Sequence, residues 1–94
     1  MAASQPAIEL FFRTEEMSMV TYLKLCGHQV QKVEWDGGSC YWTFDRSDLL
    51  ESAVDEFISG EARVEPREYN RQYAKVKDQM FAAAPPGKGR RQRQ

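Results

Sequence analysis

The residues of this chain whose types and spacing suit a chemistry are basic. Arg67, Arg71 and Lys75 recur every four residues with Lys77 nearby, and Lys88, Arg90, Arg91 and Arg93 follow within the run GKGRRQRQ. Cations repeated at one turn of a helix neutralise successive phosphates and release the counterions condensed on them, without reading bases. These eight side chains are the candidate nucleic-acid-binding residues, and the expected partner is a nucleic acid or a nucleoprotein complex. No aromatic is interleaved with the arginines of the last run, so base stacking of the single-strand type is not written there. A merely solvated face is the bland reading of the same stripe.

Other chemistries find less support. Asp48, Glu51, Asp55 and Glu56 resemble paired catalytic carboxylates at helical spacing. Acids along the polar side of a helix are ordinarily a solvated face, and no nucleophile or metal-binding histidine accompanies these. His28, the only histidine, has no Cys or Asp partner in a motif and reads as a loop or edge residue. Cys26 and Cys40 form no CxxC and no His/Cys cluster, so both read as buried thiols rather than as a zinc site or a disulfide framework. There is no phosphate loop, no GxSxG and no HExxH. The expectation is a protein without catalysis, cofactor or metal.

The net charge of −1 conceals an uneven distribution. Residues 1–66 carry five Lys/Arg against twelve Asp/Glu, and residues 67–94 carry eight against two. The acidic part supports a second reading: a protein-interaction module, such as a phage-type inhibitor or an assembly subunit, whose first two helices meet a basic partner. Neither reading fixes an oligomeric state. The start MAASQPAIELFF lacks the basic region and apolar run of a signal peptide, and no segment approaches the roughly 18 apolar residues of a membrane span, so a cytoplasmic protein is expected.

Ninety-four residues, 41% of them hydrophobic and 12% aromatic, suffice for one small domain with a core of its own. Its centre is Val30 to Phe44, VQKVEWDGGSCYWTF, a hairpin closed by Asp36-Gly37-Gly38, whose glycines suit a primed turn. Period-two alternation puts Val33, Trp35, Cys40, Trp42 and Phe44 on one face, the core face. Tyr41 and Thr43 then face the open side as a small platform. Before the hairpin, Ile8, Leu10 and Phe12 mark the apolar face of a strand. Thr14 is expected to cap a helix that runs to Cys26 with Glu15 and Glu16 in its first turn, burying Met19, Val20, Leu23 and Cys26, and Gly27 ends it. After the hairpin, Asp45 or Ser47 caps a second helix with Leu49, Leu50, Ala53, Val54, Phe57 and Ile58 as its apolar residues, and Gly60 stops it. Val64 anchors the link to a third helix that opens at Pro66, with Tyr69, Tyr73, Val76 and Met80 as its core stripe, extended by Phe81. The order is β-α-β-β-α-α, an α+β domain with a three-stranded, mainly antiparallel sheet packed against helices. Residues 1–7 are expected to be a flexible start, 8–81 the domain, and 82–94 a basic Pro/Gly/Arg tail, disordered unless bound.

Three blocks carry a resemblance: Tyr22-Leu23-Lys24-Leu25-Cys26-Gly27-His28, the strand Tyr41-Trp42-Thr43-Phe44-Asp45, and the junction from Phe57 to Tyr69 before a basic helix ending Lys75-Val76-Lys77-Asp78-Gln79-Met80-Phe81. On these the chain resembles a family of small bacterial, phage and metagenomic proteins catalogued only as a domain of unknown function, over about Leu10 to Phe81. The shared features are turn glycines and core aromatics. The resemblance therefore implies the fold and supplies no catalytic residue, and the basic tail lies outside it.

Overall fold

The computed structural model of the chain describes residues 10–85. Its elements follow in the order β1 (Phe11–Thr14), α1 (Met17–Leu25), β2 (Val30–Asp36), β3 (Ser39–Asp45), α2 (Asp48–Ser59) and α3 (Pro66–Ala82). Gly37 and Gly38 have φ of 62° and 90° and form a two-residue turn between the paired Asp36 and Ser39. Only glycine adopts two such angles in succession without strain, and their twist matches that of the strands they join. β3 then pairs antiparallel with β2 on one side and β1 on the other, giving the order β1-β3-β2.

The strand in the middle carries the core. Cys40, Trp42 and Phe44 on β3 are buried, and Val33 and Trp35 on β2 and Phe12 on β1 pack beside them on the same face. α1 lies between α2 and α3 over this face and buries five consecutive residues, Met19 to Leu23. An amphipathic helix with one covered side buries a stripe; a run of five means cover on nearly all sides. The buried Thr21 hydroxyl is accommodated by donating to the Met17 carbonyl at 2.8 Å. At the far end, Trp35 Nε1–H donates to the Met80 carbonyl at 3.0 Å and ties the hairpin to the last turns of α3. The α+β order of the elements and the core face of the hairpin are those the sequence predicts.

Several local expectations are corrected. The first strand begins at Phe11, opposite Asp45 at the end of β3; Leu10 lies just before it, its carbonyl accepting from the Arg46 N–H at 3.0 Å and its side chain exposed, and Ile8 lies outside the described residues. Because β1 runs on to pair Thr14 with Trp42, α1 starts only at Met17, with Glu16 rather than Thr14 at its N-cap and no acid in its first turn. Cys26 follows the last turn and is exposed, leaving Cys40 as the buried thiol. On α2, which Ser47 caps by accepting from the Leu50 N–H, the core takes Leu50, Ala53, Val54 and Phe57. Leu49 and Ile58 stand about 90° to either side of the middle of that sector and are 76% and 70% exposed. Ala62, not Val64, packs onto the core from the following link, and Phe81 faces outward. The expected flexible start lies outside the described residues, as do residues 86–94 of the expected tail 82–94, whose first residue, Ala82, is the last of α3; no helix among those described is long and apolar enough to cross a membrane.

Candidate functional site

α3 positions the basic residues. Pro66 occupies its first turn, where a missing N–H costs nothing, and the Glu65 carboxylate accepts from the Glu68 N–H at 2.8 Å. Val76 is buried and Tyr69, Tyr73 and Met80 are half-buried, with the two tyrosine rings stacked at 6.0 Å between centroids. Burial first, and then the neighbouring Tyr73, push the Tyr69 phenol above its ordinary pKa. This inner stripe turns Arg67, Arg71 and Lys75 to the outside, all exposed and spread over about 12 Å of helix.

The sequence-predicted cations do not all come together. Lys77 is exposed but stands about 120° round the axis from the middle of the Arg67–Arg71–Lys75 stripe. Arg71 pairs with Glu68 at 3.5 Å, an exposed ion pair worth little and easily exchanged for another anion. Asp78 shares the outer face, so the described part of the stripe is less basic than its cations alone suggest. Lys88, Arg90, Arg91 and Arg93 lie outside the described residues.

One cation that the spacing of α3 does not reveal joins the site. Lys24, in the last turn of α1, is half-buried and donates to Gln79 Oε1 at 2.6 Å. Burial, and after it the charge of Lys75, holds the Lys24 ammonium below its ordinary pKa. The charge of Lys75 thus acts on a lysine of a different helix. The sequence signal of Lys24 was a basic residue in the last helical turn, where cations offset the carbonyl dipole; that signal places a charge but not a neighbour.

The acidic face is partly occupied by the fold itself. The Arg46 guanidinium engages the Glu51 carboxylate and also donates to the Phe11 carbonyl at 3.3 Å, tying α2 to β1. Tyr22 donates to Glu56 Oε1 at 2.7 Å, and that bond, with burial and Cys26 behind it, raises the phenol well above its ordinary pKa. Cys26 and His28 open on a cleft with Ser52 and Glu56, while burial pushes the Cys40 thiol up. Among the described residues no group of three or more His, Cys, Asp or Glu side chains is placed to hold a metal ion. On the open sheet face the Arg13 guanidinium lies 4.0 Å from the Tyr41 ring centroid, and Glu34 sits between Arg13 at 3.7 Å and Lys32 at 3.1 Å. The platform read from Tyr41 and Thr43 is therefore overlaid by an arginine.

The model of one family, a domain of unknown function (DUF5659), matches residues 9–82 of the chain. Neither a curated protein nor a solved structure matches it.

Proposed function

Since the chain belongs to the DUF5659 family, whose function is unknown, its role has to come from its own surface, and we propose that it is a small non-catalytic accessory protein that binds nucleic acid or a nucleoprotein complex. The observation that carries this reading is the exposed row Arg67, Arg71 and Lys75, turned outward by the buried stripe of the same helix. Further along the chain Lys88, Arg90, Arg91 and Arg93 add four more cations. Such a surface binds phosphates through charge, salt-sensitively and with little preference for sequence. The same reading takes the protein to act in the cytoplasm of a bacterium or in a phage-infected cell.

Truncation after Ala84 tests it, because that cut removes four positive charges and no residue of the core. The thermal melt should hardly change, while affinity for duplex and single-stranded oligonucleotides falls for all sequences alike. The slope of log affinity against log salt should shrink by about 0.9 for each duplex phosphate no longer neutralised. Replacing Arg67, Arg71 and Lys75 by Glu should remove what remains. A full-length protein that binds no oligonucleotide at low salt ends this reading.

The second reading, a protein-interaction module, draws support from α2. Leu49 and Ile58 are large apolar side chains left outside the core, and Asp48 and Asp55 lie exposed on the same helix. Retention on an anion exchanger but not on heparin favours it over the first.

A further inference from the structure

A cleft of about 380 Å³ opens where the end of α1 and the link into β2 face α3. Its polar walls are Lys24, His28 and Gln29 on one side and Gln72 and Gln79 on the other. No carboxylate lines it. The clefts beside it carry Glu56, Glu65 and Glu68, and the one on the open sheet face carries Glu34. In a chain with 14 Asp and Glu, a concavity lined by amides, an imidazole and an ammonium is set apart by charge.

Gln79 positions the key group. Its Oε1 accepts from Lys24 Nζ at 2.6 Å, which leaves the amide NH₂ of the same side chain as a donor toward the cleft. Lys75 follows Gln72 by three residues and precedes Gln79 by four, which places it on the side of α3 that these two turn to the cleft, and its charge acts on Lys24. Among the described residues neither lysine has a carboxylate within ion-pair distance. Two ammonium groups on facing helices without a counter-ion repel each other, and an anion bound between them removes the repulsion. The carbonyl end of α1 acts against an anion, but three of its carbonyls, on Tyr22, Leu23 and Lys24, already accept from the N–H groups of Cys26, His28 and Gly27.

We propose that this cleft is a phosphate-binding site, in which Lys24 and Lys75 neutralise the phosphate and the side chains of His28, Gln29, Gln72 and Gln79 donate hydrogen bonds to its oxygens. Resting on the nucleic-acid reading, the phosphate is one of a phosphodiester backbone that passes from the outer face of α3 over Lys75 into the cleft. A free phosphate or phosphomonoester offers the same chemistry, and the experiment separates the two.

The full-length protein and its Lys24→Met, Lys75→Gln and Lys77→Gln variants are titrated with a labelled oligothymidylate and a labelled duplex over stepped potassium chloride. In parallel, inorganic phosphate is added to ¹⁵N-labelled wild type while the side-chain amide signals of Gln29, Gln72 and Gln79 are followed. Lys24→Met and Lys75→Gln should each lower the duplex salt slope by about 0.9 and weaken binding about eightfold at 0.1 M salt, while Lys77→Gln, on the other flank, should do less than either. Lys24→Met keeps the aliphatic stem, and Lys75 is exposed, so at least one of the two variants folds as wild type does. Glutamine signals that move with phosphate, without any oligonucleotide binding, keep the site and assign it to a free phosphate; the nucleic-acid reading then falls alone. Wild-type slopes in both lysine variants, together with abolished binding in Arg67→Glu/Arg71→Glu, overturn the cleft and leave that reading standing. Unmoved glutamine signals and no oligonucleotide binding overturn both.

Discussion

Replacing Trp42 tests the core at the position on which sheet and helices converge. The residue is 0% exposed, pairs with Thr14 on β1 and Val33 on β2, and sits in the middle of the central strand. Among the described residues nothing accepts from its Nε1–H. Trp42→Ala is expected to cost about 3 to 5 kcal/mol, against a total of roughly 5 to 14 kcal/mol for a domain of this length. The melting temperature should fall by at least about 12 °C. Trp42→Phe separates the ring from its N–H. It gives up about 2 kcal/mol of buried apolar surface but also removes a buried donor whose lack of a partner costs about 1 to 3 kcal/mol. The two nearly cancel, so this variant should stay within about 1 kcal/mol of wild type. Urea unfolding followed by far-UV circular dichroism measures both. An alanine variant within about 1 kcal/mol of wild type, or a phenylalanine variant as unstable as the alanine one, would refute the assigned burial or the assigned orphan donor respectively.

Further outcomes follow from single hydrogen bonds. Tyr22→Phe should cost only about 1 kcal/mol at neutral pH, because the exposed Glu56 carboxylate regains water when its donor is removed. The folded Tyr22 phenol titrates above its unfolded value, so its share of stability is complete below about pH 10 and is lost as pH rises further; a melt series should show a shallower alkaline decline in the variant. Trp35→Phe removes the donor to the Met80 carbonyl, and amide exchange in the last turn of α3 should quicken; unchanged protection there would mean that the bond does not hold the helix end. Ser47→Ala deletes the cap on the Leu50 N–H and should lower stability by about 1 kcal/mol by urea titration.

The parts of this protein that the sequence by itself determined are those with local causes. Gly37-Gly38 makes the hairpin turn and with it the facing of Trp35, Trp42 and Phe44, because the turn sets the register and the register sets the face. Ser47, Gly60 and Pro66 mark helix ends through bonds and angles within a few residues of themselves. The spacing of Arg67, Arg71 and Lys75 places them on one stripe for the same reason. What the tertiary structure decided is how far burial extends round each element. Periodicity locates the centre of a buried sector, but its width depends on how many neighbours a helix has: α1, packed between two helices, buries five residues in a row, while α2 leaves Leu49 and Ile58 outside. Cys26, Val64 and Phe81 face outward on the same ground. The contact of Lys24 with Gln79 likewise required the packing of α1 against α3. The two lie on separate helices with the whole hairpin and α2 between them in the chain, and no spacing within either helix records that meeting.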